Sequence, residues 1–338
     1  MQYRRVIISG PGGPEVLELI KETIPEPRAH EVRVKVLAAG VARADILMRR
    51  GQYPGSVPDY PYTPGYDVVG VIEELGEGIS KFQSGIRVLA LTEIGGYAEY
   101  LCLPEEDLVP VPEDLDPAEV VCLALNYLTA YQMLHRLAAV KAGERVLFHA
   151  AASGVGTAQL QLGGLVNLEM YGTASKPKHE VIHQLGGTPI DYQSEDFVMR
   201  VRSIPGNGID AVFDPVGGSH LWRSFKILRK KGRLIPYGEM GITGDQKAGS
   251  VEEMLHHYLP GLLNAIPGRI VKWYEVFDEK QAHPDWYHQD LATLLSLLAE
   301  RKIKPVIAER LPLEEAPRAH ELIEASAVSG KIVLICNQ

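Results

Sequence analysis

The chain has 338 residues, 46% of them hydrophobic and 23% charged, the balance of an ordinary globular protein rather than a disordered one. Acidic residues outnumber basic ones by 43 to 34, a net charge of −9 with no block of like sign, which argues against nucleic acid or an anionic membrane as the partner. No apolar run approaches the ~20 residues of a membrane span, the start lacks the apolar core of a signal peptide, and Cys102, Cys122 and Cys336 are too scattered for a disulfide framework or metal cluster, so a cytoplasmic protein of about two domains is expected.

Residues 1 to about 115 carry short apolar or alternating runs punctuated by Gly and Pro: Val32–Val36, Val68–Ile72, Arg87–Leu91 and Tyr97–Leu101. Such runs predict the strands of a β-rich domain with long loops. At Asp116-Pro117-Ala118-Glu119 the texture changes. An N-cap acid, Pro at the first helical position and Glu three residues after the Asp announce a helix, which the apolar pattern carries through Leu134. From Arg145 strands alternate with helices. Strands are expected at Val146–Ala150, Glu169–Thr173, Thr188–Asp191, Ile209–Asp214 and Arg233–Tyr237, and helices over 155–166, 177–186, 195–203 and 219–230. Alternation of this kind predicts an α/β domain, a doubly wound parallel sheet with helices on both faces. Residues 241–285 show no clear periodicity. A helix over 287–301, a strand near Val306, a helix over 314–326 and a strand over 331–335 follow.

The segment Ala150-Ala151-Ala152-Ser153-Gly154-Val155-Gly156 lies between the first of these strands and its helix. A dinucleotide turn wants small residues at its first, third and sixth positions, for a tight turn, close approach to the pyrophosphate and close helix packing. Ala151, Ser153 and Gly156 meet that need, and the N–H groups at the helix start then receive the anion. A tight turn with no ligand is the bland alternative. The second strand is followed by Ser175, Lys176 and Lys178 with no acid. NAD-preferring enzymes place Asp or Glu there for the ribose 2′-OH, so NADPH is favoured, unless the lysines are merely solvated.

Taken together, Ala39-Gly40-Val41 through Asp45, Tyr62-Thr63-Pro64-Gly65-Tyr66-Asp67, Gly95-Gly96-Tyr97-Ala98-Glu99-Tyr100, Leu128-Thr129-Ala130-Tyr131, Lys141-Ala142-Gly143-Glu144, Asp214-Pro215-Val216-Gly217-Gly218 and Gly330-Lys331-Ile332-Val333-Leu334 carry an end-to-end resemblance. The chain resembles a zinc-free quinone oxidoreductase, of the zeta-crystallin type, in the medium-chain dehydrogenase/reductase superfamily. The resemblance implies a GroES-like catalytic domain (1–122 plus 281–338), a Rossmann domain (123–280), a cofactor in the cleft between them, and a homodimer. It implies that Asn126 and Thr129 face the nicotinamide and its ribose, and that Ala151, Ser153, Gly154, Val155 and Gly156 hold the pyrophosphate. Ser175, Lys178 and Tyr192 hold the adenosine phosphate, and Tyr237, Gly238 and Lys331 line the nicotinamide side. Tyr53 and Asp45 are the candidate catalytic residues. Tyr53 matches the proton-donating Tyr proposed for 2-enoyl reductases, its alternative being a loop aromatic that only packs. Relatives often carry Asn where this chain has Ala42, which removes a polar group beside the substrate.

No metal is expected. His179-Glu180-Val181-Ile182-His183 matches a zinc-protease pattern, but Val181, Ile182 and Leu185 define the buried stripe of that helix and turn both histidines away from the core. Zinc-dependent relatives need a Cys where this chain has Gly40, and a lobe of four cysteines that it lacks. Without a Lewis acid, alcohol oxidation loses its main electrostatic help. The expected reaction is NADPH-dependent reduction of a small electrophile, a quinone or the C=C bond of an α,β-unsaturated carbonyl compound. A 2-enoyl thioester reductase and a non-catalytic NADPH-binding scaffold are the alternatives.

Overall fold

The computed structural model describes residues 1–53, 57–206, 208–238 and 251–336, apart from the side chains of 251–257. The chain divides into two compact units, 1–125 with 291–338, and 126–290. The boundaries lie three and ten residues beyond those expected and fall inside helical segments, Leu123–Tyr127 and Pro284–Ala299. No change of composition marks such a point.

The first unit is built on a seven-stranded sheet around Glu31–Val41. Val32, Val34 and Val36 alternate inward with no exposed surface. The register then shifts between Val36 and Ala38, and Ala38, Ala39, Gly40 and Val41 are all buried. This strand pairs antiparallel with Asp67–Leu75, Tyr100–Pro104 and Lys331–Ile335, the last placing Val333 opposite Gly40. Strand Tyr100–Pro104 starts three residues later than the alternation predicts. Gly95 is left-handed, and Tyr97 and Ala98 instead bond across to Val6 and Arg5. A helix that the sequence reading missed, Arg43–Arg49, follows the central strand.

The second unit holds a six-stranded, wholly parallel sheet in the order Thr188–Asp191, Glu169–Ala174, Arg145–Phe148, Ile209–Asp214, Leu228–Pro236, Ile270–Val271. Its fold class is the expected one: a doubly wound Rossmann-type sheet here and a β-rich unit before it. Leu147, Ile190, Phe197, Val212, Leu221, Phe225 and Leu234 make one buried cluster on one side of the sheet; each such side chain contributes roughly 1.5–3 kcal/mol by leaving water. The helix expected over 219–230 ends at Lys226, because Leu228 already pairs with Ile209. Arg229, Lys230 and Lys231 are good helix formers, yet Lys231 is left-handed at φ 65° and the strand bulges there. The helix announced at Asp116 forms as expected, the Asp116 carboxylate accepting the Ala118 N–H at 3.0 Å. It continues through Leu137 with two π-helical stretches, Leu123–Tyr127 and Gln132–Leu137. The region without periodicity contains helices Val251–Asn264 and Val276–Ala282. Helix Pro284–Ala299 starts three residues before the one expected and is closed by left-handed Arg301, φ 56°.

Candidate functional site

In the parallel sheet, the chain leaves Arg145–Phe148 toward one edge and Ile209–Asp214 toward the other. The crevice at their carboxyl ends is a topological switch point, where doubly wound sheets take their ligands. The turn between Arg145–Phe148 and helix Gly154–Leu165 sits there. Ala150 is left-handed at φ 52°, and the Ala151 N–H bonds to Thr173 O at 3.0 Å, tying the turn to the second strand. Ser153 caps the helix, its hydroxyl accepting the Gly156 N–H at 3.1 Å. A Cβ on Gly156 would fall 2.5 Å from Ala150 O and 2.6 Å from Ala151 Cα, so the third small residue is there for close packing. Gly154 and Val155 open the helix, where an N–H has no intrahelical acceptor. Both are half-buried, and neither N–H meets an acceptor among the described residues. The turn therefore presents two outward N–H groups at a positive helix end.

The second strand ends at Ala174, and Ser175 starts a single 3₁₀ turn, Lys176–Lys178. Lys178 is half-buried, and burial lowers its ammonium pKa. Tyr192, after the third strand, is exposed. Asn126 and Thr129 are both buried, Asn126 within the π-helical stretch Leu123–Tyr127. Such irregular turns recur at functional sites. Gln159 on helix Gly154–Leu165 lies beside the hydroxyl of Tyr237. Both are buried, and neither has a well-formed hydrogen bond among the described residues. Gly238 follows in the left-handed region, φ 69°. Sequence reasoning missed Gln159, whose signal was a polar residue in the apolar helix behind the phosphate turn.

In the other unit, Lys331 Nζ stands 2.9 Å from Asp67 Oδ2, with both side chains almost wholly enclosed. A Cβ at position 40 would lie 2.3 Å from Lys331 Cε and 2.4 Å from Asp67 Oδ1. A side chain here would have to displace the ion pair that occupies the space beside it. Burial raises the Asp67 pKa, and the Lys331 charge holds it back. Lys331, expected to line the nicotinamide side, thus has its ammonium paired with Asp67.

Asp45, expected to be catalytic, is fully buried. Its carboxylate accepts the N–H groups of Ala42 and Gly65, at 2.8 and 3.0 Å, and the hydroxyl of Tyr97, at 3.1 Å. It caps helix Arg43–Arg49 and pins the Gly65 turn, a structural duty that leaves it no open face. Desolvation pushes its pKa up to about 7, against the Ala42 hydrogen bond and the Lys331 charge. Behind it runs a buried chain: Tyr97 hydroxyl to His320 Nε2 at 3.1 Å, His320 Nδ1 to Arg49, and Arg49 to Glu324. Burial brings His320 down to about 3, so the ring is neutral, donating from Nε2 and accepting at Nδ1. Tyr53 is half-buried in the loop after this helix, where residues 54–56 lie outside the described set.

A dinucleotide-type turn at the switch point of a parallel sheet, joined in one chain to a β-rich unit, defines a nucleotide-dependent oxidoreductase of the two-domain dehydrogenase type. Residues 28–113 match the alcohol dehydrogenase GroES-like domain, and residues 185–334 the zinc-binding dehydrogenase family. The chain is 34% identical to the zebrafish (Danio rerio) synaptic vesicle membrane protein VAT-1 homolog, over 98% of this chain and 70% of that one. With quinone oxidoreductase of Rattus norvegicus it shares 32% identity, over 96% and 95% of the two chains. Among solved structures, Escherichia coli quinone oxidoreductase complexed with NADPH superposes at TM-score 0.87 with 27% identity, covering 98% and 99% of the chains. The CurK enoyl reductase does so at 0.85 with 25% identity, covering 99% of each. The chain belongs to the medium-chain dehydrogenase/reductase superfamily, among its quinone oxidoreductase-like members.

Proposed function

We propose that this chain is an NADPH-dependent reductase that delivers hydride to a quinone or to the C=C bond of an α,β-unsaturated carbonyl compound. The observation that carries the reading is the adenosine end of the switch-point crevice. The second strand runs out into Ser175 and a half-buried Lys178, with no acid to receive a ribose 2′-OH. The residues present fit the cofactor: two outward N–H groups for a pyrophosphate, a lysine whose lowered pKa a phosphate dianion would restore, and the buried Gln159 and Tyr237 whose bonds are incomplete. When bound, the cofactor supplies the hydride. Gly154 and Val155 bind the pyrophosphate; Ser175, Lys178 and Tyr192 select the 2′-phosphate; Asn126, Thr129, Tyr237 and Gly238 orient the nicotinamide end. Asp45 and Lys331 act as positioning residues, fixing the Gly65 turn and the strand beside Gly40. The reaction needs no zinc at position 40, where the Lys331–Asp67 pair leaves no room even for a Cβ. The protein acts as a cytoplasmic homodimer on a small electrophile.

Reduction of a 2-enoyl thioester is a second reading, favoured by Tyr53 in the loop after helix Arg43–Arg49. Its phenol hydroxyl would give a proton to the α-carbon of the substrate enolate, a step worth roughly 10²–10⁴-fold for a placed general acid. Quinones, enones and enoyl thioesters offered in turn with NADPH separate the readings. Turnover of an alkene substrate with kcat at least tenfold lower in Tyr53→Phe, at unchanged cofactor affinity, supports the proton-donor role. Quinone turnover indifferent to Tyr53→Phe assigns quinone chemistry and makes Tyr53 a packing residue. Tight NADPH binding with no turnover of any acceptor class leaves the scaffold.

A further inference from the structure

The proposed reaction assigns nothing to a buried cluster of three metal-ligating side chains at the same switch point. His149 follows strand Arg145–Phe148, Asp214 ends the neighbouring strand Ile209–Asp214, and His220 opens helix His220–Lys226. His220 Nδ1 lies 2.8 Å from Asp214 Oδ2. The Ser224 hydroxyl donates to that same oxygen at 2.5 Å and stands 3.1 Å from His149 Nε2. The two imidazole rings meet edge to face, with centroids 4.4 Å apart. We propose that His149 Nε2, Asp214 Oδ2 and His220 Nδ1 form a binding site for a divalent transition metal of the zinc class.

Two imidazole nitrogens and one carboxylate oxygen are a donor set suited to zinc and its first-row neighbours. The three ligand atoms lie within 4.8 Å of one another. With metal–ligand bonds of ~2.0–2.2 Å at tetrahedral angles, two ligands of one ion stand ~3.3–3.6 Å apart. Closing the cluster therefore takes a movement of up to ~1.5 Å, which the partly exposed ring of His220, in the first turn of its helix, can supply. Asp214 Oδ1 is held by the N–H groups of Val216 and Gly217, at 2.8 and 3.3 Å, which aims Oδ2 at the two rings.

To ligate through Nε2, which the Ser224 hydroxyl now faces at 3.1 Å, His149 needs only to exchange tautomers. With the metal on Nε2, its Nδ1–H donates to Thr173 Oγ1, now 3.0 Å away, the outer bond that orients a ligating imidazole. The Ser224 hydroxyl is at hand for the fourth position.

The alternative is that these bonds only tie the loop 215–218 to the helix after it, and metal titration separates the two. The full chain, stripped with chelator, is titrated with Zn²⁺ by calorimetry and with Co²⁺ by visible absorption. One ion per chain, with the intense Co²⁺ bands of a four-coordinate site, is expected. His220→Ala should weaken binding at least tenfold, whereas the control His179→Ala/His183→Ala, on helix His179–Gln184, should leave it unchanged. Asp214→Asn tests folding as well as binding, so wild-type crystals soaked in Zn²⁺ provide the second measurement, an anomalous peak between the three side chains. No stoichiometric binding, affinity indifferent to His220→Ala, loss confined to the His179/His183 variant, or no peak at the cluster would each overturn the proposal.

Discussion

Lys178 and Asp45 show how differently burial treats two charges. Burial lowers the Lys178 ammonium, and a phosphate brought beside it favours the charged form again. A charge-assisted hydrogen bond of this kind is worth roughly 1.5–3 kcal/mol, or about ten- to a hundredfold in affinity. Lys178→Ala should weaken NADPH by that factor and leave NADH nearly unmoved, as fluorescence titration of both cofactors would register. Equal losses for the two would place Lys178 elsewhere than at the 2′-phosphate. Asp45 predicts a pH effect on stability. Its carboxyl keeps its proton to about pH 7 in the folded chain, against an ordinary value of 3.8. Between these values the folded state binds more protons than the unfolded one. The stabilisation is full below the lower value and is lost as pH rises through the upper, with a slope of up to about 1.4 kcal/mol per pH unit. Urea unfolding of the wild type at pH 4 to 8, beside Asp45→Asn, measures this contribution: the variant should lose that part of the slope. An Asp45→Asn curve parallel to the wild type would mean that Asp45 does not titrate in this window.

At the scale of elements, the sequence disclosed what local pattern determines and concealed what tertiary contact determines. The strand–turn–helix at 145–165 was legible because small residues at Ala151, Ser153 and Gly156 leave a pattern, and a single steric fact stands behind the last of them. A methyl at Gly156 meets backbone atoms at 2.5 and 2.6 Å, and backbone cannot yield as a flexible side chain would. Gly156→Ala should cost about 1–3 kcal/mol, the range for overpacking, and should open the turn enough to abolish NADPH binding. A melting temperature and cofactor titration equal to wild type would refute the close packing. Helix Arg43–Arg49 was missed although Asp45 at its third position is a start signal, because the run was absorbed into a loop motif. The overrun into Leu228–Pro236 came from Arg229, Lys230 and Lys231, whose helical preference is overridden by pairing with Ile209. Asp45 was read as catalytic and Lys331 as lining the nicotinamide side, but their partners, Tyr97 and Asp67, lie far away in sequence, so the bonds that hold them left no local pattern. The same holds for metals. The contiguous His179-Glu180-Val181-Ile182-His183 advertised a site, with His183 exposed on its helix. Meanwhile His149, Asp214 and His220, from three separate segments, left no motif at all.

For the molecule as a whole, the proposed homodimer would seat on the surface of the 126–290 unit. Among the described residues, strand Ile270–Val271 is the last of its sheet, pairing with Leu228–Pro236 on one side only. An open edge invites another strand. Around it gather exposed apolar side chains: Ile270 and Trp273 at the strand, with Tyr258 and Leu262 one helical turn apart on helix Val251–Asn264. Leu259 and Leu263 of that helix pack against the core, while Tyr258 and Leu262 stay exposed. Scattered apolar residues are ordinary on a surface, but five large ones among the described residues of a 16-residue stretch, Ile266 included, are a concentrated patch beside this edge. A second copy satisfies both features at once, edge to edge about a two-fold axis, because such an interface presents the same patch from each partner. Light scattering behind size exclusion should therefore return twice the chain mass of 37.2 kDa. Ile270→Glu with Trp273→Glu gives both copies only acidic side chains along the seam, whichever register the two-fold axis sets, and should shift the protein to monomer while the NADPH turn, elsewhere on the sheet, keeps its affinity. A monomeric wild type, or a dimer untouched by the double substitution, would remove this edge as the seam.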